Sequence, residues 1–184
     1  KGKNEIITFE NSFHGRTLAT LAATGQTKFH KGFDPMPRGF KYAKFNDIDS
    51  VKRLAGKNTC AIMIEPIIGE GGVIPAGKIF LQELRALCDK INAVLIFDEI
   101  QCGMGRTGKL FAYQYYGVEP DVITLAKSIA NGLPLSATII KEKYAGALTY
   151  GDHGSTFGGN PVACAAAVAT LNAMPAKLLK HVEK

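Results

Sequence analysis

The sequence has no paired cysteines. Its four, Cys60, Cys88, Cys102 and Cys164, are scattered without any CxxC spacing. That argues against a disulfide frame or a zinc ribbon and for reduced thiols, as in a cytoplasmic protein. Long apolar runs are missing too. The longest candidate, residues 161–174, is alanine-rich and falls short of the roughly 20 residues a membrane-spanning helix needs. The N-terminus lacks the charged and apolar regions of a signal peptide. There is no internal repeat, low-complexity tract or Ser/Pro linker. The histidines, His14, His30, His153 and His181, show no ligand spacing to one another or to the acids, so no metal centre is expected.

What is present suits one globular domain with a real core. The chain has 184 residues, 46% of them hydrophobic. Its net charge is +6. The basic residues are spread, with mild clusters near 1–3 and 29–44. A nucleic-acid binder would show a denser basic stripe with interleaved aromatics, so no nucleic acid and no membrane are expected as partners. A basic chain suits anionic small substrates.

Short β-rich runs alternate with helical stretches. Strands are expected over 5–9, 60–66, 93–99, 122–126 and 135–140. The segment 77–92 places Ile79, Phe80, Leu84, Leu87, Cys88 and Ile91 on a helical stripe. Near-continuous apolar strands separated by helices imply an α/β fold: three layers, α/β/α, around a mostly parallel sheet. In such sheets ligands bind beyond the carboxyl ends of the strands. Glu65, Asp98 and Lys127 each end such a run and are expected to converge on one crevice. Two acids and an amine there are compatible with a structural ion-pair network, a metal site or an electrophilic cofactor site.

One stretch discriminates among these. "VLIFDEIQCGMGRTGKLFAYQYYGVEPDVITLAKS" (94–128) resembles the signature of class-III pyridoxal-phosphate-dependent aminotransferases: Asp98-Glu99, then Gln101, then Gly103-Met104-Gly105-Arg106-Thr107-Gly108, then a lysine after "PDVITLA". "NSFHGRTLATLAATG" (11–25), "IEPIIGEGGV" (64–73) and "HGSTFGGNPVACAAA" (153–167) are similar to further blocks of that family, in the same order. "ATGQTKFHKGFDPMPRGFKY" looks most like the acetylornithine and ornithine branch, less like the 4-aminobutyrate branch. The glycines of 103–108 read as loop geometry, not as a phosphate cradle.

The resemblance implies a fold and a set of roles. The chain would be the large cofactor-binding domain of the fold type I transferases over 1–184. It would lack an N-terminal segment with a phosphate-gripping loop and a C-terminal small domain. Lys127 would be the amine that condenses with the aldehyde of pyridoxal phosphate and then moves a proton. Asp98 would keep the ring nitrogen protonated, because an opposite charge favours the cation. Phe13 would stack on the ring, and Gln101 would bond its hydroxyl. Thr156 would reach the phosphate of a partner subunit, implying a homodimer with a shared active site. Arg16, whose planar fork suits a carboxylate, would bind substrate together with Glu65 and Glu70. His14 would be structural. The implied reaction passes the terminal amine of N-acetylornithine, or a related ω-amino acid, to 2-oxoglutarate, as in arginine biosynthesis. Alternatives are an ornithine or 4-aminobutyrate aminotransferase, or an inactive piece serving as a dimerising domain. Two departures stand out: Ile68 where many relatives have Gln, and "KSIANG" for a more Gly-rich loop. As a truncated domain the chain would bind cofactor weakly and not turn over. Its exposed sheet edges would favour dimers or aggregates.

Overall fold

A computed structural model describes residues 2–183; Lys1 and Lys184 lie outside the described residues. The strands are β1 (Glu5–Phe9), β2 (Phe40–Ala43), β3 (Thr59–Ile64), β4 (Ile67–Ile68), β5 (Ile74–Pro75), β6 (Val94–Asp98), β7 (Val122–Leu125) and β8 (Ala137–Ile140). Six of them form one sheet in the order β2-β1-β3-β6-β7-β8. All its pairings are parallel except the last, where β8 runs antiparallel to β7. The small antiparallel pair β4–β5 follows the end of β3.

The expected mostly parallel sheet is therefore present, and its central strands are the apolar runs. Ile7, Phe9, Ile62, Ile64, Leu95 and Phe97 are all fully buried. Each such side chain removed from water stabilises the fold by about 1.5–3 kcal/mol. They pack with Phe80, Leu81, Leu84 and Cys88 of the helix α3, and Phe9, Phe45 and Phe80 meet edge to face. The helices are α1 (Leu18–Ala23), α2 (Ile48–Leu54), α3 (Lys78–Ile91), α4 (Ala112–Tyr116), α5 (Glu142–Ala145), α6 (Pro161–Asn172) and α7 (Ala176–Val182). A second apolar cluster joins Ile123 and Leu125 of β7 to Ile129 and Ala130, in the turn that begins at Lys127, and to Ala167 of α6.

Three local expectations change. The buried stripe of α3 runs through Leu81, whereas Ile79 is 72% exposed; the helix starts at Lys78 behind Gly77, which places Ile79 on the outer face. The strand expected over 135–140 begins only at Ala137, because the turn through Asn131, Gly132 and Pro134 extends further. The edge strand β2 is an addition: "FKYA" has no apolar run, and three of its four residues are only half-buried. Asn92, in left-handed conformation at φ 53°, ends α3, and Lys3 Nζ donates to the carbonyls of Ile91 and Asn92 there. This satisfies acceptors that a helix end leaves free. No single helix among the described residues is long and apolar enough to cross a membrane.

All four cysteines are free. Cys88 is fully buried, and burial pushes its thiol up to about 12. Burial likewise pushes the Cys102 thiol far up. Reactivity follows thiolate population and access. Thiol titration with an aromatic disulfide is expected to label the half-buried Cys60 and Cys164 first, and Cys88 and Cys102 only as the chain unfolds. Rapid native labelling of Cys88 would contradict this packing.

Candidate active site

The carboxyl ends of β3, β6 and β7 build the site. Asp98 closes β6 in register with Thr124 of β7, three residues before Lys127. Thr124 Oγ1 and the Ile100 N–H each donate to Asp98 Oδ1 at 3.2 Å. His14 Nδ1 lies 2.8 Å from Asp98 Oδ2, and both side chains are buried. His14 is held in turn: its N–H donates to Thr24 Oγ1 at 2.9 Å. Its Nε2 is buried without a partner. A buried carboxylate is tolerated when it is hydrogen-bonded in this way.

Glu65 follows β3 and is 3% exposed. Its Oε2 accepts from the Phe13 N–H at 2.9 Å and its Oε1 from the Gly69 N–H at 3.2 Å. Burial raises its pKa; the two N–H groups and nearby His14 pull the other way. Both oxygens thus fasten backbone, stapling the loop after β1 to the turn after β3. This fixes the half-buried ring of Phe13, which meets Phe29 edge-on at 5.7 Å.

Lys127 stands beyond β7 at φ 50°. A left-handed backbone at a long side chain is uncommon and is found preferentially at functional sites. Its side chain lines a cavity of about 410 Å³ with Ser128, Gln101, Cys102, Arg106 and Thr107. Val73, at φ 56°, stands at the same cavity. A β-branched residue there is a sharper outlier still. Gln101 is pressed against Gly69, where a Cβ would fall 2.4 Å from the Gln101 amide carbon and would push that amide out of its present position. Thr107 Oγ1 is buried without a partner. The expected convergence is therefore layered: Lys127 and Gln101 on the cavity wall, Asp98 and Glu65 buried in the network at the strand ends.

The other expected residues lie further out. The exposed Arg16 guanidinium sits 4.3 Å from the Phe29 ring centre and 5.4 Å from that of Phe13, a cation–π geometry. Glu70 is exposed; it accepts from Gln26 Nε2 and pairs with Lys28 at 3.8 Å. Thr156 lies on an exposed loop and does not line the cavity. Two residues matter more than the sequence alone suggested. His14 is the direct partner of Asp98. Glu99 is 1% exposed and bonds the first two N–H groups of α4.

This chain belongs to the class-III aminotransferases, whose family pattern matches residues 1–184. Members of that family depend on pyridoxal phosphate. The chain is 59% identical over 167 residues to the acetylornithine aminotransferase of Methanocaldococcus jannaschii, covering 91% of this chain and 42% of that protein. It is 56% identical to the succinylornithine transaminase of Yersinia pseudotuberculosis, over 92% of this chain and 41% of that protein. Among solved structures it is similar to the ornithine aminotransferase of Toxoplasma gondii, with partial occupancy of pyridoxal phosphate at its active site: TM-score 0.88 and 34% identity, covering 100% of this chain and 43% of that one. The chain thus spans less than half the length of these relatives.

Proposed function

We propose that this chain is the cofactor-holding domain of a transaminase that takes the terminal amine of an α-N-acylated ornithine. N-acetylornithine is the first candidate donor and 2-oxoglutarate the acceptor, as in arginine biosynthesis. The observation that carries this reading is the juxtaposition of a strained, cavity-lining lysine with a buried carboxylate one strand away. The 59% and 56% identities to proteins named for acetylornithine and succinylornithine support the substrate class.

The residues present fit pyridoxal phosphate. Asp98 is a buried anion whose hydrogen bonds fix it, as a partner for a ring cation requires. Phe13 offers a ring with its backbone pinned by Glu65, and Gln101 supplies an amide on the cavity wall. When bound, the cofactor supplies an electron sink for the bond broken at the substrate carbon. The chain's own groups do the rest. Asp98 would keep the ring nitrogen of the bound cofactor protonated. His14 orients Asp98 through the 2.8 Å bond. Lys127 Nζ would take up the proton released from the amine-bearing carbon of the substrate and hold it for return to the cofactor side, which is general acid–base work. Arg16, held over two aromatic rings, presents its fork to a carboxylate. Glu65 acts through Phe13 and Gly69, a positioning role in place of the substrate contact expected from the family pattern. Glu70 is the acid left to face substrate.

A second copy is proposed to complete the site through Thr156. The loop carrying Thr156 is exposed, and it is flanked by the exposed side chains of Tyr150, Phe157 and Val162.

The test is incubation of the purified chain with pyridoxal phosphate, borohydride reduction and peptide mapping. A visible absorbance band lost on reduction, with the pyridoxyl group on Lys127, is expected. The variant Lys127→Ala is expected to lose both. Label spread over surface lysines in both proteins would defeat the reading.

A further inference from the structure

We propose that Glu99 is a positioning residue for the cavity wall: its carboxylate clamps the two ends of the loop 100–111 together and so sets Gln101, Cys102, Arg106 and Thr107 against Lys127. The loop leaves the sheet at the end of β6 and returns at α4. Its base is closed by one side chain. Glu99 Oε2 accepts from the Ala112 N–H at 2.6 Å and Oε1 from the Tyr113 N–H at 2.8 Å. The short helix α4 thus starts on a buried anion, which its free N–H groups favour.

The loop is folded back on the same residue. The Gly103 N–H donates to the Glu99 carbonyl at 2.9 Å. A Cβ on Gly103 would fall 2.8 Å from that carbonyl oxygen and 3.1 Å from Oε2, so Gly103 permits the close approach. Further out, Gly105 N–H donates to the Leu110 carbonyl and Gly108 N–H to the Gly105 carbonyl, both at 3.0 Å. Five of the cavity-lining residues, Ile100, Gln101, Cys102, Arg106 and Thr107, belong to this loop. Opening its base moves that wall and leaves Lys127 where β7 puts it.

The same geometry makes the clamp sensitive to pH. The titratable groups facing Glu99 are Asp98 and Cys102. Burial, with Asp98 adding to it, lifts Glu99 to about 7 against the pull of the two N–H groups. Because the buried carboxyl holds its proton more tightly than a solvated one would, the closed loop base is favoured as pH falls through 7 and loosened as pH rises above it.

The role of this loop as a cofactor wall rests on the function proposed above; the clamp itself does not. The test therefore has two arms. In the first, Glu99→Gln and wild type are digested with trypsin without cofactor, and cleavage after Arg106 and Lys109 is timed from pH 6 to 8. Val51→Ala, a core change in α2, serves as a destabilised control. Losing an acceptor for a buried N–H is expected to speed cleavage at those two bonds about tenfold in Glu99→Gln at pH 8. Relative to a free peptide substrate, cleavage of the wild-type loop is expected to slow from pH 8 to pH 6, and Val51→Ala is expected to spare the loop. In the second arm, pyridoxal phosphate affinity is titrated by absorbance, with a dissociation constant about tenfold higher expected for Glu99→Gln. Equal loop cleavage in wild type and Glu99→Gln overturns the clamp, as does equal acceleration by Val51→Ala. Faster loop cleavage with unchanged cofactor affinity overturns the link to the cavity. If wild type itself takes up no cofactor, the proposed function falls, while the first arm still decides the clamp.

Discussion

Replacing Asp98 with asparagine is expected to lower transamination by about 10²- to 10³-fold, the usual loss when one preorganised electrostatic contact to the reacting group is removed. The change is nearly isosteric, and much of the local network survives it. Asparagine Oδ1 still accepts from Thr124 Oγ1 and the Ile100 N–H, as Asp98 Oδ1 does at 3.2 Å. The partner of His14 does not survive unchanged. An amide Nδ2 donates, so His14 Nδ1 must become an acceptor and its proton must move to Nε2, which is buried without a partner. The negative charge that favours a ring cation is lost at the same time. The expected signature is a fall in kcat with little change in the folded state, together with a shifted absorbance of bound pyridoxal phosphate. The effect is to be measured in a protein shown to turn over. Turnover by Asp98→Asn within a factor of two of wild type would remove Asp98 from the role proposed here. His14→Phe extends the test: it keeps the volume but leaves Asp98 Oδ2 without its buried partner, and its effect should have the same sign as that of Asp98→Asn.

The central sheet was legible because its strands are continuous apolar runs of the kind that two-sided burial demands. β6 and β7 begin and end within a residue or two of the runs that announce them. The edge strand β2 was not legible for the complementary reason: half-buried "FKYA" alternates nothing, and its pairing with β1 is a long-range fact that local pattern does not encode. The antiparallel sense of β8 is likewise invisible in "LSATII". In the site, Asp98 and Lys127 could be placed at strand ends from the sequence alone. The family resemblance is the source of the roles proposed for them. What it did not supply was the division of labour among the acids. Glu65, Asp98 and Glu99 all follow apolar runs, yet one staples two loops, one holds a histidine and one caps a helix. That division depends on which backbone N–H groups the fold brings to each carboxylate. A signal for Glu99 did exist: a glycine four residues on, at Gly103, marks the spot where the chain doubles back.

Replacing Asp121 with alanine is expected to cost about 3–5 kcal/mol, the range for breaking a buried ion pair by removing one partner. Asp121 precedes β7 at the opposite end of that strand from Lys127, so the loss should fall on stability rather than on the site. Its side chain is fully buried and accepts from the Leu95 N–H at 3.0 Å. Arg85 of α3 reaches it at 2.8 Å while also holding Asp89 at 2.6 Å, and Lys143 approaches at 2.9 Å. One carboxylate thus ties α3, β6 and α5 together. Burial alone would raise its pKa, but the Leu95 N–H, Lys143 and Arg85 overcome that and hold it below its ordinary value. A lowered carboxylate pKa contributes stability that is complete above the unfolded value, about 3.9, and is lost as pH falls through the folded value. Glu99 acts in the opposite direction. With its pKa lifted from 4.5 to about 7, it favours the folded chain below 4.5, and that contribution disappears as pH rises to 7. Between them, the two acids place the most stable condition at about pH 5. Urea melts from pH 2 to 8 measure this directly. Asp121→Asn should flatten the acid limb and leave the neutral limb in place; Glu99→Gln should do the reverse. A wild-type curve still climbing from pH 5 to pH 7 would show that the buried Glu99 carboxylate is stabilised well beyond what its two N–H donors provide.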